Sequence, residues 1–141
     1  MADIQFPQGT GTLDVNVLDN NGAPSSVLEA DTDFTIAAEW SIDRRSARTL
    51  GGQWELSAYV ESIGRGPEQQ VGQTEVVPLD GRFAPATYTV RITVPAGTLP
   101  DDPQAPRSGV YKLVTVLILR GPLGQVTDVA AFADGPMLRI G

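Results

Sequence analysis

Four stretches of the chain alternate between apolar and polar residues with a period of two. Phe34, Ile36, Ala38, Trp40 and Ile42 share one side, while Thr35, Glu39, Ser41 and Asp43 take the other. Trp54, Leu56, Ala58 and Val60 alternate with Gln53, Glu55, Ser57 and Glu61. Tyr88, Val90, Ile92 and Val94 are spaced by Thr89, Arg91 and Thr93, and Leu13, Val15 and Val17 by Asp14 and Asn16. Successive side chains on an extended strand point to opposite sides. Each stretch therefore predicts a strand with one face on a core and one in water.

The run YKLVTVLILR at 111–120 breaks this rule, because it is apolar on both sides. Val114, Val116 and Ile118 make one face, and Leu113, Leu117 and Leu119 make the other. Its shortness and its β-branched content predict a buried strand, ended by a turn at Gly121-Pro122. The apolar residues of 126–140 make that segment the second arm of a central hairpin. Only one face of a strand in a two-layer sandwich reaches the core, so the second face needs a cover. Leu113, Leu117 and Leu119, beside Val129 and Ala131, are expected to form that second face. Either a crossing loop at 99–107 covers it, or it is an interface with another protein or a second copy.

Turn signals punctuate the chain at sandwich-like intervals. They are Asp19-Asn20-Asn21-Gly22, Gly51-Gly52, Gly64-Arg65-Gly66-Pro67, Leu79-Asp80-Gly81, Pro95-Ala96-Gly97, Gly121-Pro122 and Asp134-Gly135-Pro136. No window carries a capped apolar stripe of helical period, and 41–50 has room for one short helical turn at most. With no repeat, low-complexity tract or long linker, residues 1–141 are expected to form a single domain. The expected fold is all-β, a two-layer antiparallel β-sandwich of about seven to nine strands.

Gly109-x-Tyr111-x-Leu113 resembles the G-x-Y-x-C pattern that opens strand F of immunoglobulin-like domains, with Leu113 in the place of the cysteine. Trp54 then stands where such domains carry their core tryptophan, and Ile36 where they carry the first cysteine. The resemblance implies an immunoglobulin-like or fibronectin-type sandwich in which Tyr111 is a structural anchor whose hydroxyl returns to upstream backbone. Both cysteines are missing and Arg107 replaces the usual Asp. The likeness thus implies an architecture and no activity, since sandwiches of this kind host many roles.

Composition narrows the chemistry. The chain of 141 residues is long enough for a core, with 41% hydrophobic and 19% charged residues. It contains no His and no Cys, so the commonest general bases, thiol nucleophiles and transition-metal ligands are missing. A net charge of −7 argues against nucleic acid or an anionic membrane as partner. No basic region followed by an apolar core opens the sequence, and no window approaches the roughly 18 apolar residues of a membrane span. Nine Arg against one Lys, with abundant Ala, Gly, Pro and Val, fit a bacterial origin. The expected localisation is cytoplasmic, or exported by a route without a visible signal peptide.

Several side-chain groups could carry function. Asp31-x-Asp33 and Asp101-Asp102 are loop carboxylates, but their spacing matches no calcium motif, so no metal is expected. Glu39, Glu55, Glu61 and Glu75 fit solvated strand faces better than an acid/base pair. No G-x-S-x-G occurs, and 64–67 lacks the Lys-Ser/Thr of a phosphate loop. Arg44, Arg45 and Arg48 form the one basic cluster, on the loop between the stretches at 34–42 and 54–60, and Tyr59 is the aromatic expected to face outward on its strand. These four residues are the candidate ligand contacts, with Leu113, Leu117 and Leu119 as the candidate interface. The expectation is a non-catalytic structural or protein-interaction module, in a larger assembly or self-assembly, with no cofactor. The alternative is a carbohydrate- or other ligand-binding module.

Overall fold

The structure, a computed structural model, describes residues 2–5, 9–47, 50–63, 68–79, 85–99 and 109–141. In chain order the elements are β1 (Ala2–Asp3), β2 (Gly11–Leu18), β3 (Val27–Leu28), β4 (Phe34–Ile42), a single-turn helix α1 (Arg44–Ala47), β5 (Gly52–Ser62), β6 (Glu68–Leu79), β7 (Thr87–Val94), β8 (Val110–Arg120) and β9 (Val126–Ile140). They form a four-stranded sheet in the order β1-β2-β4-β7 and a five-stranded sheet in the order β3-β9-β8-β5-β6. The pairs are antiparallel except β3 with β9. The protein is an all-β two-layer sandwich.

The alternating stretches become β2, β4, β5 and β7, and their apolar sides face one another across the sandwich. Every second residue of β4 from Phe34 to Ile42 is buried, and Trp54, Leu56, Ala58 and Val60 of β5 are fully buried. Each large apolar side chain so buried contributes about 1.5–3 kcal/mol before chain entropy is subtracted. At one end of this core Trp40 stacks on Tyr88 with ring centroids 5.3 Å apart, and Trp54 meets both edge-on at 5.9 Å. Such offset and edge-on pairs are favoured by the ring quadrupoles.

The hairpin forms as its sequence predicts. β8 and β9 pair from Val110↔Arg139 to Arg120↔Val126 around the turn at 121–125. The Gly121 N–H donates to the Gln125 carbonyl at 2.8 Å, and the Gln125 side chain accepts from the Leu123 N–H at 3.0 Å. Asp134-Gly135-Pro136 is not a turn, however. β9 runs through it to Ile140, and the extra residue is taken up as a bulge opposite 112–114.

The two-sided apolar run is resolved by register. Trp54 pairs with Leu119, Leu56 with Leu117 and Val60 with Leu113. Directly opposed residues in a sheet share a face, so the core side of β5 carries these leucines into the core with it. Leu113, Leu117 and Leu119 are 0%, 0% and 3% exposed within one molecule. They are therefore not a second face awaiting a partner. Val129 and Ala131 are buried beside them. The outer row of β8 is instead Lys112, Val114, Val116, Ile118 and Arg120, each half-buried.

Candidate functional site

The outer face of the five-stranded sheet is built in cross-strand rows. Ile118 lies between Glu55 and Ala130, with Val76 beyond Glu55. Val116 lies between Ser57 and Phe132, and Val114 between Tyr59 and Asp134. Lys112 lies between Glu61 and Met137. The centre of the face is thus apolar, and its largest side chains are open to solvent. Phe132 is 59% exposed, Met137 and Val76 46% each, and Tyr59 40%.

Charge borders this band at both ends. Arg120 Nε donates to Glu55 Oε2 at 2.8 Å, and Gln53 Nε2 donates to the other oxygen, Oε1, at 3.1 Å. At the far end Lys112 Nζ lies 3.3 Å from both Glu61 Oε2 and Asp134 Oδ1. The two carboxylates, Asp134 foremost, hold the ammonium pKa above its ordinary 10.5.

The outer face of the other sheet has a different chemistry. Its rows join Thr12, Ser41 and Thr87, then Asp14, Glu39 and Thr89, then Asn16, Ala37 and Arg91. It is polar nearly throughout, so the two faces of the sandwich are not equivalent.

The candidate ligand contacts do not converge. Arg44 and Arg45 are exposed on α1, which leads into β5, while Arg48 lies outside the described residues. Tyr59 sits seven residues along β5 from Gly52, about 23 Å at an ordinary strand rise. Arg and Tyr therefore occupy opposite ends of the sheet. Tyr59 does border a shallow hollow of about 490 Å³ with Glu61, Glu68, Gln69, Gln70 and Val114. Of the loop carboxylates, Asp33 accepts the Ala96 N–H at 2.7 Å and so braces a turn, while Asp101 and Asp102 lie outside the described residues. Among the described residues no group of three or more Asp or Glu is placed to hold a metal ion. None of their helices is long and apolar enough to cross a membrane.

Val114, Val116, Ile118, Phe132, Met137 and Val76 were not singled out as site residues by the sequence. A signal was present for the first three. Lys112 and Arg120 stand in their register, and a charged residue at either end of a strand face marks that face as the solvated one.

No protein-family model matches the chain, and no curated protein matches it. Among solved structures the chain is similar to the PmoD soluble domain from Methylocystis sp., at 14% identity and a TM-score of 0.43, covering 100% of this chain and 98% of that one.

Proposed function

We propose that this chain is a non-catalytic protein-interaction module of immunoglobulin-like type that docks through the outer face of its five-stranded sheet. The observation that carries this reading is the row Val114, Val116 and Ile118 with exposed Phe132, Tyr59, Met137 and Val76 around it. Large apolar groups contiguous on one face, bordered by polar pairs, mark interaction surfaces. The immunoglobulin-like part is supported by strand order: β2-β4-β7 faces β9-β8-β5-β6, as strands A, B, E face G, F, C, C′ in such domains. The absence of His and Cys supports a role without catalysis. The same lack of Cys suits a reducing cytoplasm, which is the compartment proposed here.

Val116→Lys tests the reading. If the face is free for docking, the variant keeps its circular dichroism spectrum and melts within a few degrees of the parent. Unfolding of the variant would mean that the face is covered within one molecule, and the reading would be wrong.

A second reading rests on the hollow beside Tyr59. An exposed aromatic ring flanked by the carboxylates of Glu61 and Glu68 and the amides of Gln69 and Gln70 is a platform suited to a sugar ring. Glycan binding lost in Tyr59→Ala would favour it.

A further inference from the structure

We infer that the partner of this face is a second copy of the same chain, docked antiparallel about a two-fold axis that passes Val116; the inference rests on the interaction reading above. The argument begins with charge. A chain of net charge −7 repels its own copies over most of its surface. On this face Lys112 and Arg120 are each held by carboxylates, and the exposed Glu68 and Asp128 stand on the flanking strands, so two copies approach at least cost over the uncharged centre of β8.

The pairing at the two ends of the β8 row is unequal. At the Lys112 end two carboxylates share one ammonium, which leaves one negative charge in surplus. At the other end Arg120 uses Nε on Glu55 and makes only a long contact, 3.4 Å, from Nη1 to the Gly124 carbonyl. Among the described residues its Nη2 donors are uncommitted. A surplus carboxylate at one end and spare guanidinium donors at the other make the row complementary to itself when reversed. An isologous two-fold contact requires that property, since each end must suit the opposite end of its copy.

Val116 is the midpoint of the row from Lys112 to Arg120. In the reversed arrangement it meets its own copy, Val114 meets Ile118 of the second copy, and Asp134 lies by Arg120 of the second copy. Size agrees with this. The row spans eight rises, about 27 Å, and four strands lie side by side over about 19 Å. The flat footprint is roughly 500 Å², and side-chain relief raises it toward the about 800 Å² per partner of a stable interface.

The sheet edges direct association to the face. The edge strand β6 carries a bulge at 72–74 and Pro78, both of which hinder strand addition, and the edge strands β1 and β3 are two residues long. The fourth edge, β7, has Gly72 of β6 packed against it at Ile92 and Thr93. One self-complementary patch gives a closed dimer rather than a filament.

Because the chain has no cysteine, a single introduced thiol reports the contact. Under mild oxidation Val116→Cys should form a disulfide-linked dimer many-fold faster than Thr89→Cys on the opposite face. Light scattering after size exclusion should give the wild type twice the 15.0 kDa of one chain and Val116→Lys a single folded chain. Arg120→Gln should weaken the dimer several-fold and remove most of its sensitivity to salt. A wild type that stays monomeric through the micromolar range, or equal linking rates at Val116 and Thr89, would overturn the self-pairing. With Val116→Lys still folded, that result leaves the interaction reading standing. Unfolding of Val116→Lys removes both.

Discussion

Thr115 shows how a single side chain can work against its own fold. It lies on the core side of β8 opposite Ala58, fully buried, and its hydroxyl has no hydrogen-bond partner. Removing a buried hydroxyl without changing shape relieves a desolvation cost, so Thr115→Val should raise stability by about 1–2 kcal/mol in a urea titration. A loss would show that the hydroxyl has a protein or water partner. Tyr88 is a similar case: burial pushes its phenol pKa above 10.0, only partly opposed by the adjacent Trp54 indole, and its hydroxyl reaches no partner in full hydrogen-bond geometry. Tyr88→Phe should therefore leave the melting temperature unchanged or higher. Tyr111 is buried at the start of β8 and stands in the anchoring pattern of the sequence, so Tyr111→Phe is expected to cost about 0.5–1.5 kcal/mol. Equal effects at the two tyrosines would remove the basis for calling Tyr111 an anchor.

Asp43 adds a pH dependence at the same scale. Its carboxylate accepts the Thr10 N–H and the Ser46 N–H, each at 2.9 Å, so it caps α1 and ties it to the chain before β2. These bonds, the one from Thr10 first, hold its pKa below the ordinary 3.8. A depressed folded value means that the contribution is fully present above pH 3.8 and fades as pH falls through the folded value. Asp43→Asn should accordingly lower the melting temperature at neutral pH and lose that difference in strong acid. A difference that persists unchanged in acid would mean that the carboxylate charge is not what matters.

At the scale of elements, the sequence concealed the two-residue strands β1 and β3 and one long strand, β6. The residues of β6, Glu68 to Leu79, are polar on both sides as far as Glu75 except at Val71, then apolar on both at Val76 and Val77, with Gly72 and Pro78 among them, so no alternation shows. It is an edge strand, and with one neighbour and partial burial it needs few apolar side chains. Its bend is set at Gly72, where Gly72, Gln73 and Thr74 stand opposite Ser57 alone. Gly72 has φ of +66°, and a side-chain carbon there would collide with Ile92 of β7. Gly72→Ala should cost about 2–4 kcal/mol through the left-handed backbone and the clash together. A smaller cost in denaturant titration would show that β6 can move away from β7. The strands that were legible, β2, β4, β5 and β7, each have one wet face, and this is why period-two alternation reported them.

For the molecule as a whole, the decisive comparison is between the two faces of β8. Leu117→Asp places a carboxylate in the fully buried core and should abolish folding, whereas Ile118→Asp, on the outer face, should give a folded protein. Circular dichroism of the two variants separates the faces directly. Chelators should not shift the melting temperature, because Asp33 is engaged with the Ala96 N–H and no acidic cluster forms among the described residues. A shift of several degrees on adding EDTA would reveal a metal site involving residues beyond these.

The amino-acid order by itself determined the all-β class, four of the strands, the central hairpin, the outward Tyr59 and the absence of His and Cys chemistry. Each of these depends on local pattern or on composition. Which face of β8 is outside was marked in the sequence only at its two ends, by Lys112 and Arg120, and was settled by tertiary structure. A strand apolar on both sides carries no alternation of its own, and its orientation is inherited from the register with β5, whose Trp54, Leu56 and Val60 can bury on one side only. For the same reason the exposed patch, assembled from β5, β6, β8 and β9, exists only once those strands lie side by side. Its residues are far apart in the chain, and pairing across the sheet is what makes them neighbours.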